Sequence, residues 1–454
     1  MVFQSKAQDE FNIKPVSCGE TGQIVDLCGR IYAGTPDWLD DDDHIRTINF
    51  AKTLCSETAT LTTLSIGINI DGSARAEWLQ EQIDKSYYML RHWVEYGCAY
   101  GTIILKPNGN GVDLCLPDDY IVTAQDGEQI TGAVFVDSAV DNDLYYTRLE
   151  YHRFEGDVYR ITNRCYVGKS ENDPGKAIDI KDTPWSDLEE EVGITGIDKP
   201  LFGVMRTPGA NNVDIGSAVG LPVFYNAVEE LKDLDIAYSR MTKEVKDSKR
   251  TVLLDSDRLL PTGGRVAANN AAFRAMSEEM GLPDYVKSVY GDGQESFYQE
   301  INPTINTEAR MVAINALLSQ IGFKCGFSNG YFVFDEKTGM VTATQVEADD
   351  RRTIQTITDM RDKLKSCLDG LIYALNAFAD LYGKAPAGAY DVNYDFNDIT
   401  ENVEEDRARW WQYVQTGNVP AWLYFVMFEG MSEDNARAMV AEAAPNNLTL
   451  FGGE

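Results

Sequence analysis

The chain has 454 residues, with 72 Asp or Glu against 40 Lys or Arg and a formal net charge of −32 at pH 7. A field of that sign opposes tight coating of nucleic acid or an anionic membrane surface. Hydrophobic content of 44% with 11% aromatics excludes a disordered chain, and the length holds about two to four domains. The eight cysteines form no Cys-x-x-Cys pair, which argues against a zinc ribbon and for free thiols in a reducing compartment. The N-terminal stretch has no apolar signal core. The longest apolar run, Val419–Phe428, contains Pro420 and falls short of the roughly 20 residues a bilayer span needs, so a soluble protein is expected.

In chain order, residues 1–72 are mixed, and Asp40–Asp43 reads as a solvated acidic run. Asp71 or Ser73 caps a helix predicted to reach Tyr96, with Leu79, Ile83, Leu90 and Val94 on one face and Gly97 ending it. Thr102–Leu105 and Val112–Leu116 flank an Asn- and Gly-rich turn and read as a hairpin. Strand-like segments follow at Ala133–Val136, Tyr145–Phe154 and Val158–Cys165, so residues 1–212 read as α+β. Phe224, Ala227, Leu231, Leu234, Tyr238, Met241 and Val245 form a helical stripe. That stripe suits a core-facing helix or one packed beside copies of itself. Its end is basic for so acidic a chain: Arg240, Lys243, Lys246, Lys249 and Arg250. Cations are favoured at a helix C-terminus, and the excess could face a polyanion.

Residues 251–303 read as a small α/β insertion with strands at Thr251–Leu254 and Gln294–Ile301 and a helix at Ala267–Met280. A helix over Asn306–Ile321 returns from it into a glycine- and aromatic-rich loop. Thr342 and Gln345 have capping-box spacing, and a helical period then runs for about 40 residues past Gly370 to Gly383. Helices are expected at Glu404–Val414 and Glu433–Glu442, the second capped by Ser432.

No catalytic residue is identified. Gly326-Phe-Ser-Asn-Gly330 has the Gly-x-Ser-x-Gly spacing of an esterase elbow, but that fold needs a histidine after the serine and a strand before it. His44, His92 and His152 all lie upstream, and a helical pattern precedes Gly326. The histidines do not cluster, so no metal site is expected, and nothing points to a cofactor. Paired carboxylates among the 72 acids leave an acidic hydrolase as a background alternative.

Several stretches together resemble the bacteriophage portal proteins of Gram-positive siphophages, often labelled minor capsid proteins. They are Val94–Pro107, Pro200–Asn212, Gly216–Tyr225 with Leu231–Asp235 and Tyr238–Arg240, and Phe332–Asp335 followed by Thr342–Val346 and Arg352–Ile354. The resemblance covers most of the chain and rests on order and spacing, not on one chemical signature. It implies a portal architecture of wing, stem, clip and crown. Residues 1–212 would be the α+β wing, 213–250 and 304–322 the stem helices, and 251–303 the clip. Residues 323–342 would be a tunnel loop, 343–392 the long wing helix and its exit, and 393–454 a helical crown.

The resemblance further implies a homo-oligomeric ring, typically of twelve subunits, at one capsid vertex of the virion, assembled in the host cytoplasm. Double-stranded DNA would pass through it without sequence specificity. Terminase, a head–tail adaptor, and the major capsid and scaffold proteins would be its partners, with no membrane involved. Phe327, Ser328, Asn329, Tyr331 and Lys337 are then the DNA-facing candidates of the tunnel loop. The basic run at 240–250 is a candidate DNA or partner contact near the clip. Another phage head component, an adaptor or shell protein, is the alternative within the same class.

Overall fold

The computed structural model describes residues 2–17, 19–39, 45–109, 111–170, 173, 175–248, 251–255, 286–289, 298–301, 306–334, 343–396, 403–429 and 431–443. The acidic run at 40–43, the helix expected at 267–280, the cap at Thr342, and Lys249, Arg250 and Lys337 lie outside the described residues. The chain divides into two compact units. One comprises residues 1–63 and 69–392, the other 64–68 and 393–454.

The first unit is mixed helix and sheet, as the α+β pattern requires. Helices α1 (Val2–Phe11), α2 (Gly19–Ala33) and α3 (Phe50–Thr62) lead to strand β1 (Ile66–Gly72). Ser73 caps α4 (Ala74–Ser86), its Oγ accepting the Arg75 N–H at 3.3 Å. The single helix expected to end at Gly97 is instead two. Bonding switches to i→i+3 at Tyr87–Met89, and α5 (Leu90–Tyr100) follows. Gly97 is a packing residue: a Cβ there would lie 3.1 Å from the Met205 sulfur. Gly101 closes α5 with φ 80°, and a Cβ on it would meet the Gly220 carbonyl at 2.4 Å.

The hairpin β2 (Thr102–Pro107) and β3 (Val112–Cys115) forms as expected, with Pro107 opposite Val112. Strand β10 (Gly203–Arg206) completes that sheet on the other side of β2. The larger sheet runs β4 (Tyr120–Asp126), β5 (Gln129–Asp141), β6 (Leu144–Glu155), β7 (Val158–Gly168) and β8 (Lys176–Ile178), with β9 (Glu191–Thr195) also pairing β7. Alternation sorts its two faces. Ile121, Val134, Leu149 and Tyr166 pack with Ala7 of α1, whereas Tyr120, Val122, Ala133 and Phe135 pack with Ile104, Phe202 and Val219.

Strand register assembles a buried ionic cluster that no local spacing announces. Lys106 of β2 pairs with Glu150 and, at 3.2 Å, with Asp137. Arg148 lies opposite Asp137 and reaches both carboxylates, at 2.5 Å and 3.1 Å. His152 Nε2 lies 3.0 Å from Glu150, and its Nδ1 lies 2.9 Å from the Tyr159 hydroxyl, which accepts the Leu201 N–H. Because that hydroxyl is free to donate to Nδ1, the Nε2–H tautomer facing Glu150 satisfies every group. Burial acts to raise the Glu150 carboxyl, but the charges of Lys106 and Arg148 and the His152 bond outweigh it and hold it well below its ordinary value.

Helix α6 (Val228–Asp247) is shorter than the 213–250 expected, since 213–227 is irregular apart from a turn at Tyr225–Ala227. Strand β11 (Thr251–Asp255) pairs in parallel with β12 (Val286–Val289) and antiparallel with β13 (Tyr298–Ile301). Helix α7 (Thr307–Lys324) then precedes α8 (Ala343–Leu381), a continuous helix of 39 residues. Gly370, expected as a bend, serves as a contact. It faces the Phe202 carbonyl, while a Cβ on Gly203 would meet the Cys367 carbonyl at 2.2 Å. Strand β14 (Tyr390–Phe396) pairs β1.

The second unit contains α9 (Val403–Gln415), α10 (Ala421–Glu429) and α11 (Glu433–Ala443). The outer two match expectation. The middle one coincides with the apolar run at 419–428. The cysteines at 28, 55, 98, 115, 165, 325 and 367 are buried and free of disulfides.

The ionic cluster predicts a specific acid response. A carboxylate with a depressed folded pKa contributes stability above about pH 4.3 that is lost as pH falls through the folded value. Glu150→Gln is expected to cost about 3–5 kcal/mol at pH 7, because it leaves buried cations uncompensated. It should also flatten the loss of stability below about pH 4.3, as read by urea denaturation across a pH series. An unchanged acid slope would show that Glu150 is not the titrating partner.

Candidate nucleic-acid interface

Helices α6 and α7 run antiparallel and are tied at both ends. At one end Glu244 takes an ion pair from Arg310 and the Asn306 N–H. At the other, Glu230 accepts from Lys324 at 2.5 Å and Gln320 at 3.0 Å. Lys324 also donates to the Asn226 carbonyl at 2.9 Å. Burial acts to raise the Glu230 carboxyl, but the bonds it receives, Lys324 foremost among the side chains, bring it below its ordinary value. The Asn306 N–H and then Arg310 lower Glu244 likewise.

Between these ties the apolar stripe of α6 is covered only in part. Phe224, Ala227, Leu231 and Leu234 are buried, Tyr238 and Met241 are half-buried, and Val245 is 51% exposed. Asp235 and Ser239 share the covered half. Asp235 accepts from Trp38 Nε1 and the Ile48 N–H, both at 3.0 Å, and Ser239 bonds the backbone of Arg46. These residues hold Trp38 and the backbone of Arg46 and Ile48 against α6, a role that sequence pattern alone does not show. Burial still pushes the Asp235 carboxyl above its ordinary value.

The basic end of α6 is exposed. Arg240, Lys243 and Lys246 all face solvent, and no ion pair engages them among the described residues. Of the two acids among them, Glu244 is occupied by Arg310, and Asp247 is exposed beside Lys246. Three exposed cations, of which Lys246 lies in the last turn of the helix, make a locally positive stretch on a strongly acidic chain. It can hold phosphate oxygens or a carboxylate surface without reading bases.

The loop after α7 departs from expectation. Phe327 and Ser328 were expected to face DNA, and both are buried, at 2% and 5% exposure. Their burial has clear causes. The Phe327 ring packs against Tyr331 and Phe332, at 5.1 and 4.8 Å between centroids, and Phe332 meets Phe50 of α3 edge-on at 5.2 Å. Ser328 exchanges hydrogen bonds with Thr353 of α8, the Ser328 N–H donating to Thr353 Oγ1 at 2.9 Å. Gly326 has φ 92°, and a Cβ there would lie 2.5 Å from Thr356, whose hydroxyl donates to the Gly326 carbonyl. Tyr331 is half-buried and donates to Glu57.

Residues 325–334 therefore form a clasp between α3, α7 and α8, and Asn329 is the candidate of this loop left exposed. Nearby, Phe323 and Phe334 are 51% and 58% exposed, and the Arg352 guanidinium covers the Phe323 ring at 3.8 Å. A signal for the clasp is present in the sequence. Three aromatics within six residues, between glycines, suit a packed turn as well as an open one.

No group of three or more His, Cys, Asp or Glu side chains able to hold a metal ion occurs among the described residues, and no described helix is long and apolar enough to cross a membrane. Lys106, Glu150 and His152 are held by one another and by Tyr159 within the fold.

No protein-family model matches the chain. No curated protein matches it. Among solved structures it is similar to the neck of a native GTA particle computed with C12 symmetry, at TM-score 0.41 and 12% identity over 91% of this chain and 95% of that one. It is similar to the neck of an empty GTA particle computed with C6 symmetry, at TM-score 0.42 and 12% identity over 92% and 95%. It is similar as well to a chain from the virion of a native gene transfer agent particle, at TM-score 0.41 and 12% identity over 92% and 95%. Likeness at these scores is too loose to assign a fold family.

The clasp gives a direct contrast between two neighbours. Phe327→Ala is expected to lower the unfolding free energy by about 3–5 kcal/mol. Asn329→Ala should stay within about 0.5 kcal/mol of the parent. Urea denaturation of both variants checks this, and a neutral Phe327→Ala would mean the ring is not packed in solution.

Proposed function

We propose that this chain is a portal-type head protein: a subunit of a ring that lets double-stranded DNA through a capsid vertex and docks the packaging and tail machinery. One observation carries the reading. Two antiparallel helices, tied at both ends, bracket a small three-stranded sheet and run through a clasped loop into a 39-residue helix. That order coincides with the segments in which the sequence resembles portal proteins.

In this reading α6 and α7 are the stem pair and the β11–β13 sheet belongs to the clip, which meets terminase during packaging and the head–tail adaptor afterwards. The half-covered stripe of α6, ending at the exposed Val245, is the face toward neighbouring subunits. The chain is a conduit, not a catalyst. DNA must slide past it, so contacts have to be few and blind to sequence. A net charge of −32 per subunit supplies general repulsion, and Arg240, Lys243 and Lys246 supply a local hold near the clip. The clasp buries Phe327 and Ser328 and leaves Asn329 and Phe334 facing solvent.

Negative-stain microscopy of the purified chain is expected to show closed rings with a central hole wide enough for duplex DNA. A strict monomer at micromolar concentration, without rings at any salt, would sink the reading. The triple variant Arg240→Ala, Lys243→Ala, Lys246→Ala should still assemble. Its duplex-DNA affinity should fall, with the slope of log K against log salt shallower by about 2–3, since each lost phosphate contact removes about 0.9. Fluorescence anisotropy over a salt series measures this, and an unchanged slope would remove these residues from the DNA path.

A further inference from the structure

We infer that the cavity between α4, the β2–β3 turn and the end of α8 is a binding site for a small organic anion with a planar ring. The cavity measures about 280 Å³. That admits one ring system carrying an acid group and is far too small for duplex DNA. Trp78, Gln82 and Lys85 line it from one face of α4, at helical spacings of four and three. Leu375 and Phe378 line it from α8, and Lys384 lines it from just beyond that helix. The turn at 107–111 completes the lining, held by the Asn108 N–H donating to the Gly111 carbonyl at 3.0 Å.

The two helical walls are braced against each other. Arg75, one turn before Trp78, is buried and donates to Asp380 at 2.6 Å and to Asn376 Oδ1 at 2.7 Å, next to Leu375 and Phe378 on α8. A cavity formed in advance lowers the ordering cost of binding. Leu375 is buried and Trp78 and Phe378 are half-buried, so apolar and aromatic surface is present to receive a ring. The Trp78 indole N–H has no partner among the described residues and can donate to an acceptor on a ligand.

Charge selects the ligand. Among the described residues that line the cavity, two are lysines and none is Asp or Glu, on a chain with 72 acids against 40 bases. The Lys384 ammonium has no partner among the described residues. Lys85 pairs with Glu81 at 2.9 Å, but both side chains are more than half exposed. An exposed pair of that kind is weak and yields to a better placed anion. Asp113 accepts from Asn108 and lies outside the lining. A neutral ligand would leave Lys384 without a counter-charge, and an anion supplies one. An ammonium is a point charge without a bidentate fork, so a carboxylate and a phosphate both suit it. The cavity lies within the larger unit, and the inference does not rest on the portal assignment.

The test uses the full chain. Isothermal titration calorimetry is run with naphthoate as the carboxylate probe, AMP as the phosphate probe and naphthalenemethanol as the neutral ring. At least one anion should bind with a single site per chain, roughly tenfold tighter than the neutral alcohol, and should weaken as salt rises. Naphthoate alone would assign a carboxylate ligand, and AMP alone a phosphate one. Lys384→Met keeps an apolar stem, removes the charge and should lower the affinity roughly fivefold. Trp78→Ala should lower it roughly tenfold, and Trp78→Phe, which keeps a ring, should lower it less. Lys52→Met, at an exposed site on α3, should bind like the parent. Three results overturn the inference: neither anion binds at millimolar concentration, the neutral alcohol binds as tightly as the anions, or Lys384→Met leaves the affinity unchanged. Rings without anion binding would sink this inference and spare the portal reading, whereas anion binding by a strict monomer would do the reverse.

Discussion

Close approach of other backbone segments to helix α8 is the constraint on which the larger unit depends. Along 28 residues, four segments dock in turn, each by a contact that tolerates little substitution. Thr353 and Thr356 hold the 326–328 backbone. Arg361, itself buried, donates to the last carbonyls of α3 at Leu61 and Thr62. Cys367 and Gly370 receive β10 at Gly203 and Phe202. Asn376 and Asp380 receive the buried Arg75 of α4, which also reaches the carbonyls of Ala385 and Pro386. Hydrophobic burial supplies most of the stability of such a helix, but it is non-directional. These polar and glycine contacts fix where along the helix each neighbour sits.

The same logic operates in the sheet. The Lys106–Asp137–Arg148–Glu150–His152 cluster is costly to desolvate, and it is tolerated because every member has a partner. A register slip of one residue in β5 or β6 would leave buried charges unpaired, so the cluster penalises misalignment far more than an apolar core would. It sits next to Phe135, Tyr159 and Leu201, and the Tyr159–Leu201 group packs on Ala374 and Ala377 of α8. Sheet register and helix position are therefore coupled through one tyrosine.

Much of this fold is legible in the sequence where the signal is local. The Ser73 cap, the β2–β3 hairpin and the long period of α8 each depend on residues a few positions apart. The helix break at 87–89 is not legible, because an i→i+3 turn keeps the same apolar face and alters no pattern. Gly97 and Gly370 read as a terminator and a bend, since a glycine's sequence context cannot distinguish a flexible joint from a surface pressed against Met205 or Phe202. The loop at 325–334 fails for a related reason. Its aromatics suit stacking on a ligand as well as stacking on one another, and the outcome is decided by Phe50, Glu57 and Thr353, the nearest of them 19 positions beyond the loop. The three free cations of α6 were legible because their excess is compositional.

Charge is distributed unevenly along the chain. A net charge of −32 opposes the approach of a polyanion or of a second copy of the chain. Among the described residues, two features run against that repulsion: the exposed cations of α6 and its exposed apolar stripe. Each is small enough that a single copy gains little from it. In the proposed ring each contact would be made many times in the same geometry, and weak local attractions would then prevail over a repulsion that salt screens within about 10 Å. Assembly of such a ring is expected to depend steeply on concentration and on ionic strength, because many weak short-range attractions oppose a repulsion of longer range.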